Sequence, residues 1–268
     1  MHTRTVKPFV YKIMIYPIKS LPPVEVSSVE VNAGGALLYD RMYAIVDSKG
    51  RFVNGKRERK IHLIRARYDI KGRDRLVVYV SACCSEEKVF ELDDERESME
   101  KWLSELLGYS VTLVKNVDEG YPDDTRYNGP TVISTATLEE IASWYPGWDI
   151  SQARLRFRAN IEIGGVKPFW EDNLYAGPGK AVEFRIGDVI LEGRNISKRC
   201  VVPSRDPYTG SHTPLFQKIF VERRPRLKVL EKDHNYRLAV NTIIKPGQQG
   251  KKINIYDEVE ILGVTSNQ

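Results

Sequence analysis

Short runs of alternating or β-branched residues, each closed by Gly, Pro, Asp or Asn, recur along nearly the whole chain. That pattern constrains the fold more than any other feature, because a period of two suits half-buried strands and the punctuation suits turns. Residues 10–15, 24–31, 41–46, 61–68, 75–80 and 111–114 read as strands in the first part of the chain. Residues 161–163, 181–184, 188–191, 229–230, 238–243 and 258–262 do so in the second. Pairing is expected to be mainly antiparallel. Asp47-Ser48-Lys49-Gly50 reads as a hairpin loop, with glycine where the backbone needs a positive φ.

Two helices interrupt the strands. Met99, Trp102, Leu103, Leu106 and Leu107 recur at helical spacing over 95–107, and Gly108 follows as a stop. A shorter helix is predicted over 138–144, capped by Thr135 or Thr137, with Glu139 and Glu140 in its first turn and Pro146-Gly147 ending it. Residues 116–130 are rich in Asp, Gly, Pro and Asn and mark a long loop, where a domain boundary is expected near residue 120. The prediction is a mainly β (α+β) chain: a β-barrel-like domain over 1–120, a second β-barrel over 121–268, and a few short helices.

The 268 residues, 41% hydrophobic and 29% charged, suffice for a packed core. No apolar run is long enough for a signal peptide or membrane span, so a cytoplasmic location is expected. Of three cysteines, Cys83 and Cys84 are adjacent, which disfavours a disulfide framework. His2, His62, His212 and His234 share no zinc-ligand spacing. Basic residues crowd the stretch from Lys49 to Arg75 (Arg73 among them), against only Glu58, Asp69 and Asp74, within a net charge of +5. An anionic partner fits this excess, as do strands with a solvated basic face. A nucleic-acid-binding barrel stacking bases on Tyr68 and Tyr79 is a third reading, but no nucleic-acid motif accompanies it.

Cys200 follows Lys198 and Arg199, whose charges favour the thiolate that binds soft metals or attacks electrophiles. A lone cysteine is as readily a small buried apolar residue. The residues after it, Pro203 to Gly210, are dense in Pro, Asp, Thr and Gly and must form an ordered loop, so the thiol is expected at a strand-to-loop edge. Asp206 is close enough in sequence to carry a proton there, although an aspartate before proline also initiates turns. His212 is a weaker alternative.

The order Arg156-Phe157-Arg158-Ala159-Asn160-Ile161, Pro168-Phe169-Trp170-Glu171-Asp172, Phe184-Arg185-Ile186-Gly187-Asp188-Val189, Arg199-Cys200 and Asp206-Pro207-Tyr208-Thr209-Gly210 resembles the MOSC domain. Ile15-Tyr16-Pro17-Ile18-Lys19-Ser20, Tyr39-Asp40-Arg41-Met42-Tyr43-Ala44 and the glycine hairpin before Phe52-Val53-Asn54 resemble the β-barrel domain that precedes it. The pair is similar to the mitochondrial amidoxime-reducing components and their bacterial relatives. That resemblance implies a molybdenum cofactor (Mo-molybdopterin) whose metal takes Cys200 as its protein thiolate ligand. Lys19 and Ser20 would lie near the cofactor's phosphate, and Arg158 and Asn160 near its pterin. Lys56 or Arg57 would stand where relatives carry an arginine. Alanine at 159, where proline is common, departs from the pattern without removing either neighbouring group.

The activity implied is an oxidoreductase that reduces N-hydroxylated compounds. No cysteine follows Cys200, so electrons are expected from a separate ferredoxin, flavodoxin or cytochrome b5-like donor with its reductase. The alternative is a sulfur-carrier or cofactor-transfer protein holding a persulfide on Cys200. A small-molecule substrate is expected, with neither nucleic acid nor membrane as partner.

Overall fold

The computed structural model describes residues 7–71, 75–82, 85–227 and 235–266. The Cys83-Cys84 pair, the strand expected at 229–230, His2, His234, Arg73 and Asp74 lie outside them. The chain is mainly β. Its first strands are β1 (Phe9–Ile15), β2 (Val24–Val26), β3 (Ser28–Glu30), β4 (Tyr43–Asp47), β5 (Ile64–Lys71), β6 (Arg75–Ala82) and β7 (Lys88–Glu91). Helix α1 (Arg96–Leu107) and strands β8 (Val111–Lys115) and β9 (Val132–Ser134) follow. After helices α2 (Thr135–Ala142) and α3 (Ile150–Phe157) come β10 (Ile161–Gly164), β11 (Lys180–Ile186), β12 (Val189–Lys198), helix α4 (Phe216–Arg223), β13 (Arg237–Ile244), β14 (Lys252–Asn254) and β15 (Val259–Ser266).

One sheet runs β15-β11-β12-β13-β9-β10-β1-β2. It closes on itself, because the edge of β1 turned away from β10 is shared. Ile13, Met14 and Ile15 pair with β2 there, while Phe9 bridges Glu258 just before β15. Val10 N–H donates to Asp257 O (2.9 Å) and Val259 N–H to Pro8 O (2.8 Å), which completes a seven-strand ring. A register shift between Val10 and Lys12 lets one strand serve both neighbours. Among the named strand pairs only β9 and β10 run parallel. β4 pairs with β8, and β5-β6-β7 form a separate antiparallel sheet. Strand pairing crosses residue 120, since β1 and β2 lie in the large sheet with β9 to β13.

The hairpin after β4 forms as its sequence dictates: Gly50 has φ 69° and its N–H reaches Asp47 O at 2.8 Å. Helix α1 buries Met99, Leu103 and Leu107 and ends on Gly108 at φ 87°. Other expectations need correction. The strand expected at 24–31 divides at Ser27, because β2 pairs with β1 and β3 with β14. That expected at 61–68 begins as a 3-10 turn over Arg59–Leu63, with the Glu58 carboxylate accepting from Lys60 N–H. Ser134, not a threonine, caps α2 by accepting from Thr137 N–H, so Glu139 and Glu140 fall outside its first turn. Helices α3 and α4 were not anticipated. Asp149 accepts from Gln152 N–H at 2.7 Å, a capping signal legible at the start of α3.

Helices α2, α3 and α4 pack over one side of the barrel on an aromatic core of Trp144, Tyr145, Phe157, Phe216, Phe220 and Tyr236. Tyr145 and Phe216 stack at 4.9 Å, and Phe220 meets Tyr236 edge-on at 5.2 Å. This core backs the segment that carries Cys200: Tyr236 Oη donates to Cys200 O at 2.9 Å.

Candidate functional site

A cavity of about 860 Å³ opens between the barrel and the small N-terminal sheets. Its walls come from the turn after β1, the Asn54-Gly55-Lys56 loop, the start of β5, residues 123–127, the end of α3, the end of β12 and the loop after Cys200. Eleven Lys and Arg side chains line it against three acidic ones, so it presents a strongly positive field. Several of these guanidiniums are held by neutral oxygens rather than by carboxylates. Arg158 donates to Leu21 O (2.8 Å), Arg199 to Phe157 O (2.7 Å), and Arg65 to Tyr208 O (3.0 Å) and His62 O (2.9 Å).

Three lining residues that are not glycine adopt left-handed backbone: Ser20 (φ 74°), Arg41 (φ 52°) and Arg158 (φ 54°). Each such conformation costs on the order of 1 kcal/mol or more, and convergence on one cavity is characteristic of functional sites. Arg158 is the C-cap of α3, and its guanidinium lies 4.2 Å over the Tyr16 ring. Burial pushes the Tyr16 hydroxyl well above its usual range.

Cys200 lies past the end of β12, partly exposed on the cavity wall. Val202 N–H points at its sulfur (3.4 Å) as a 3-10 turn begins at Val202. Lys19 is only 6% exposed, donating to Tyr121 O (2.8 Å) and to Asp123 Oδ1 (2.6 Å). Its pKa is lowered by burial, against the pull of Asp123. Ser20 and Lys56 also line the cavity, whereas the neighbouring Arg57 is exposed and outside its lining.

Two expected site residues sit behind the wall. Asn160 is 1% exposed, and its amide is fully engaged. Oδ1 accepts from Arg41 (3.2 Å) and from Thr131 N–H (3.0 Å), while Nδ2 donates to Met14 O (3.1 Å) and Asp40 Oδ1 (2.9 Å). With two donors and two acceptors used, it has nothing left for a heterocycle and instead braces Arg41. Asp206 Oδ1 accepts from Tyr208 N–H and Thr209 N–H (2.9 Å each) and from Thr209 Oγ1 (3.1 Å). Burial pushes its carboxyl upward, but these hydrogen bonds and Arg156 hold it below the usual range. It shapes the loop and stays ionised, which does not suit a proton donor. His212 is exposed, its Nδ1 3.2 Å from Ser204 Oγ, and is also outside the lining.

Sequence reasoning gave Arg156, Arg41 and His62 no role in the site. Arg156 is 3% exposed and stacks 3.9 Å over Trp148. It donates to Arg205 O (2.7 Å), Pro203 O (3.2 Å) and Thr213 Oγ1 (3.3 Å), bolting the loop after Cys200 to α3. Burial lowers its pKa to about 10. Arg41 donates to Asp40 Oδ2 at 2.7 Å and faces the cavity. His62 lines the cavity with its pKa lowered by burial, and its Nε2 is 3.3 Å from Gly55 O.

No group of three or more His, Cys, Asp or Glu able to hold a metal occurs among the described residues. A metal here would have one protein thiolate and would need its other ligands from a cofactor. The anionic character of molybdopterin, its phosphate and the cavity volume fit that donor set. Residues 7–110 match the MOSC N-terminal beta barrel domain. The likeness to known proteins continues beyond residue 110. The chain is 29% identical over 205 residues to a molybdenum cofactor sulfurase of Danio rerio, covering 60% of this chain and 24% of that protein. It is 24% identical over 293 residues to mitochondrial amidoxime reducing component 2 of Bos taurus, and 25% identical over 292 residues to that of Homo sapiens. Each of those two matches covers 95% of this chain and 80% of the relative. The chain thus spans about a quarter of the Danio rerio sulfurase and about four fifths of the reducing components. No described helix is long and apolar enough to cross a membrane.

Proposed function

We propose that this protein binds a molybdenum cofactor through Cys200 and reduces N-hydroxylated small molecules with electrons from a separate donor protein. The observation that carries the reading is a single thiol on the wall of a cavity whose charged groups are mostly cationic. Relatives named amidoxime reducing components, aligned over 95% of the chain, support the reaction class. We also propose a functional division near residue 120, the two parts meeting at this cavity.

When bound, the cofactor would supply two-electron redox chemistry at its metal. The chain's own residues bind and orient. Lys19, Ser20 and Lys56 would receive the phosphate, with Arg41 braced behind them by Asp40 and Asn160. Arg158 and Arg199 would flank the pterin, fixed by carbonyl oxygens that set the direction of their remaining N–H groups. Arg156 and Asp206 keep the loop after Cys200 in one shape and so fix the sulfur's approach. His62, on the wall and with burial favouring its neutral ring, is better placed than Asp206 or His212 to take or give a proton.

A sulfur-transfer role with a persulfide on Cys200 is the second reading, supported by relatives named molybdenum cofactor sulfurase. Protein purified from a host that makes molybdopterin separates the two. Stoichiometric molybdenum with turnover of a benzamidoxime under a chemical reductant is expected. Metal-loaded protein that never turns over, together with a cyanide-labile sulfur on Cys200, would favour the second.

A further inference from the structure

Lys19 and Asp123 form an unequal pair. The Lys19 side chain is 7% exposed and that of Asp123 is 79% exposed, although their charged atoms are 2.6 Å apart. The ammonium is therefore the fixed partner, clamped by Tyr121 O and lying 5.6 Å from the Phe52 ring centroid. The carboxylate is the movable one. It hangs into the open cavity from an irregular segment, while its neighbour Asp124 is tied to Arg126 (2.9 Å) and Asn195 (3.3 Å). Desolvation by the surrounding walls opposes its charge, but Lys19 foremost, then Arg41 and Lys56, hold the carboxyl far below its usual range. An anion thus already occupies Lys19, with Arg41 and Lys56 lining the same cavity.

We infer that Asp123 is a built-in competitor at this cation cluster, which sets an affinity threshold that a dianion clears and a monoanion does not. The inference rests on the reading above only for the identity of the natural ligand. A tethered carboxylate competes at a high effective concentration. A monoanion from solution replaces one negative charge by another and gains nothing for the exchange. A phosphate monoester carries about −1.5 to −2 charges and three acceptor oxygens, so it gains both charge and hydrogen bonds from the same cations. Asp123 then turns away into solvent, to which it is already open.

The test uses the metal-free full chain and two probes of matched shape, phenyl phosphate and benzoate, titrated calorimetrically into wild type, Asp123→Asn and Lys19→Ala. Wild type is expected to bind phenyl phosphate at least tenfold more tightly than benzoate. In Asp123→Asn both affinities rise by a similar factor, roughly tenfold or more. Lys19→Ala weakens phenyl phosphate at least tenfold, with its circular dichroism unchanged. Asp123→Glu keeps the competitor and should retain the weak wild-type affinities, a readout that a merely structural aspartate would not give. Affinities unchanged or reduced in Asp123→Asn overturn the inference, as does a wild type that binds both probes alike. The molybdenum content of wild type and Cys200→Ala, measured alongside, shows separately whether the cofactor reading stands.

Discussion

Cys200, Lys19 and Arg156 sit close to one cavity but do different work, and each makes a distinct expectation. Cys200 touches few structural partners, so Cys200→Ala should lose bound molybdenum and all turnover while unfolding within about 1 kcal/mol of wild type. Metal analysis beside a urea melt checks this, and full activity in the variant would refute the central assignment. Lys19→Ala should lose cofactor on gel filtration several times faster than wild type; unchanged retention would remove it from the phosphate site. Arg156→Ala leaves two carbonyls and the Thr213 hydroxyl of the loop after Cys200 without this donor and should cost about 2–4 kcal/mol. Arg156→Lys should recover little of that, because a single ammonium cannot also reach Gln152 and Asp206 while lying flat on Trp148.

Elements whose signal is local were legible in the sequence. The apolar period of α1 and its glycine stop were read correctly, and Gly108→Ala, forced to φ 87°, should lower stability by about 1 kcal/mol in a denaturant melt. Helix α3 was missed because the motif at its end, from Arg156 to Ile161, reads as extended, and only Asp149 announces it. That miss also hid the geometry of Arg158, which reaches the cavity through a left-handed helix cap. Asn160 and Asp206 were legible as polar groups near the right place. For Asn160 the bracing role depends on Met14, far away in sequence, and no local pattern carries that, whereas Asp206 is held by Tyr208 and Thr209 within its own turn. The placement of Lys56 rather than Arg57 on the wall is likewise a matter of loop direction.

Over the whole molecule, one buried acid should govern part of the pH response. Glu171 is fully buried; Ser134 N–H (3.2 Å) and Thr137 Oγ1 (3.0 Å) serve one oxygen, and the other has no partner. Desolvation raises its carboxyl from 4.5 to about 7. Protonation is therefore favoured in the folded form. This group's contribution is fully present below pH 4.5 and is lost as pH climbs through about 7, at most about 3 kcal/mol in all. Glu171→Gln keeps the acceptor without the charge. Its melting temperature should exceed that of wild type at pH 8 and approach it at pH 5, and a pH-independent difference would show that Glu171 is not the titrating group.

The ring of strands closes where Phe9 meets Glu258. On the ribosome, the first strand is thus made some 240 residues before its last neighbour, so a long stretch of synthesis passes with a bare strand edge. β2, made within a few residues of β1, covers Ile13 to Ile15 almost at once. On that edge only the short stretch at Phe9 and Val10 is left waiting, too little backbone to template pairing with another nascent chain, while the opposite edge waits for β10.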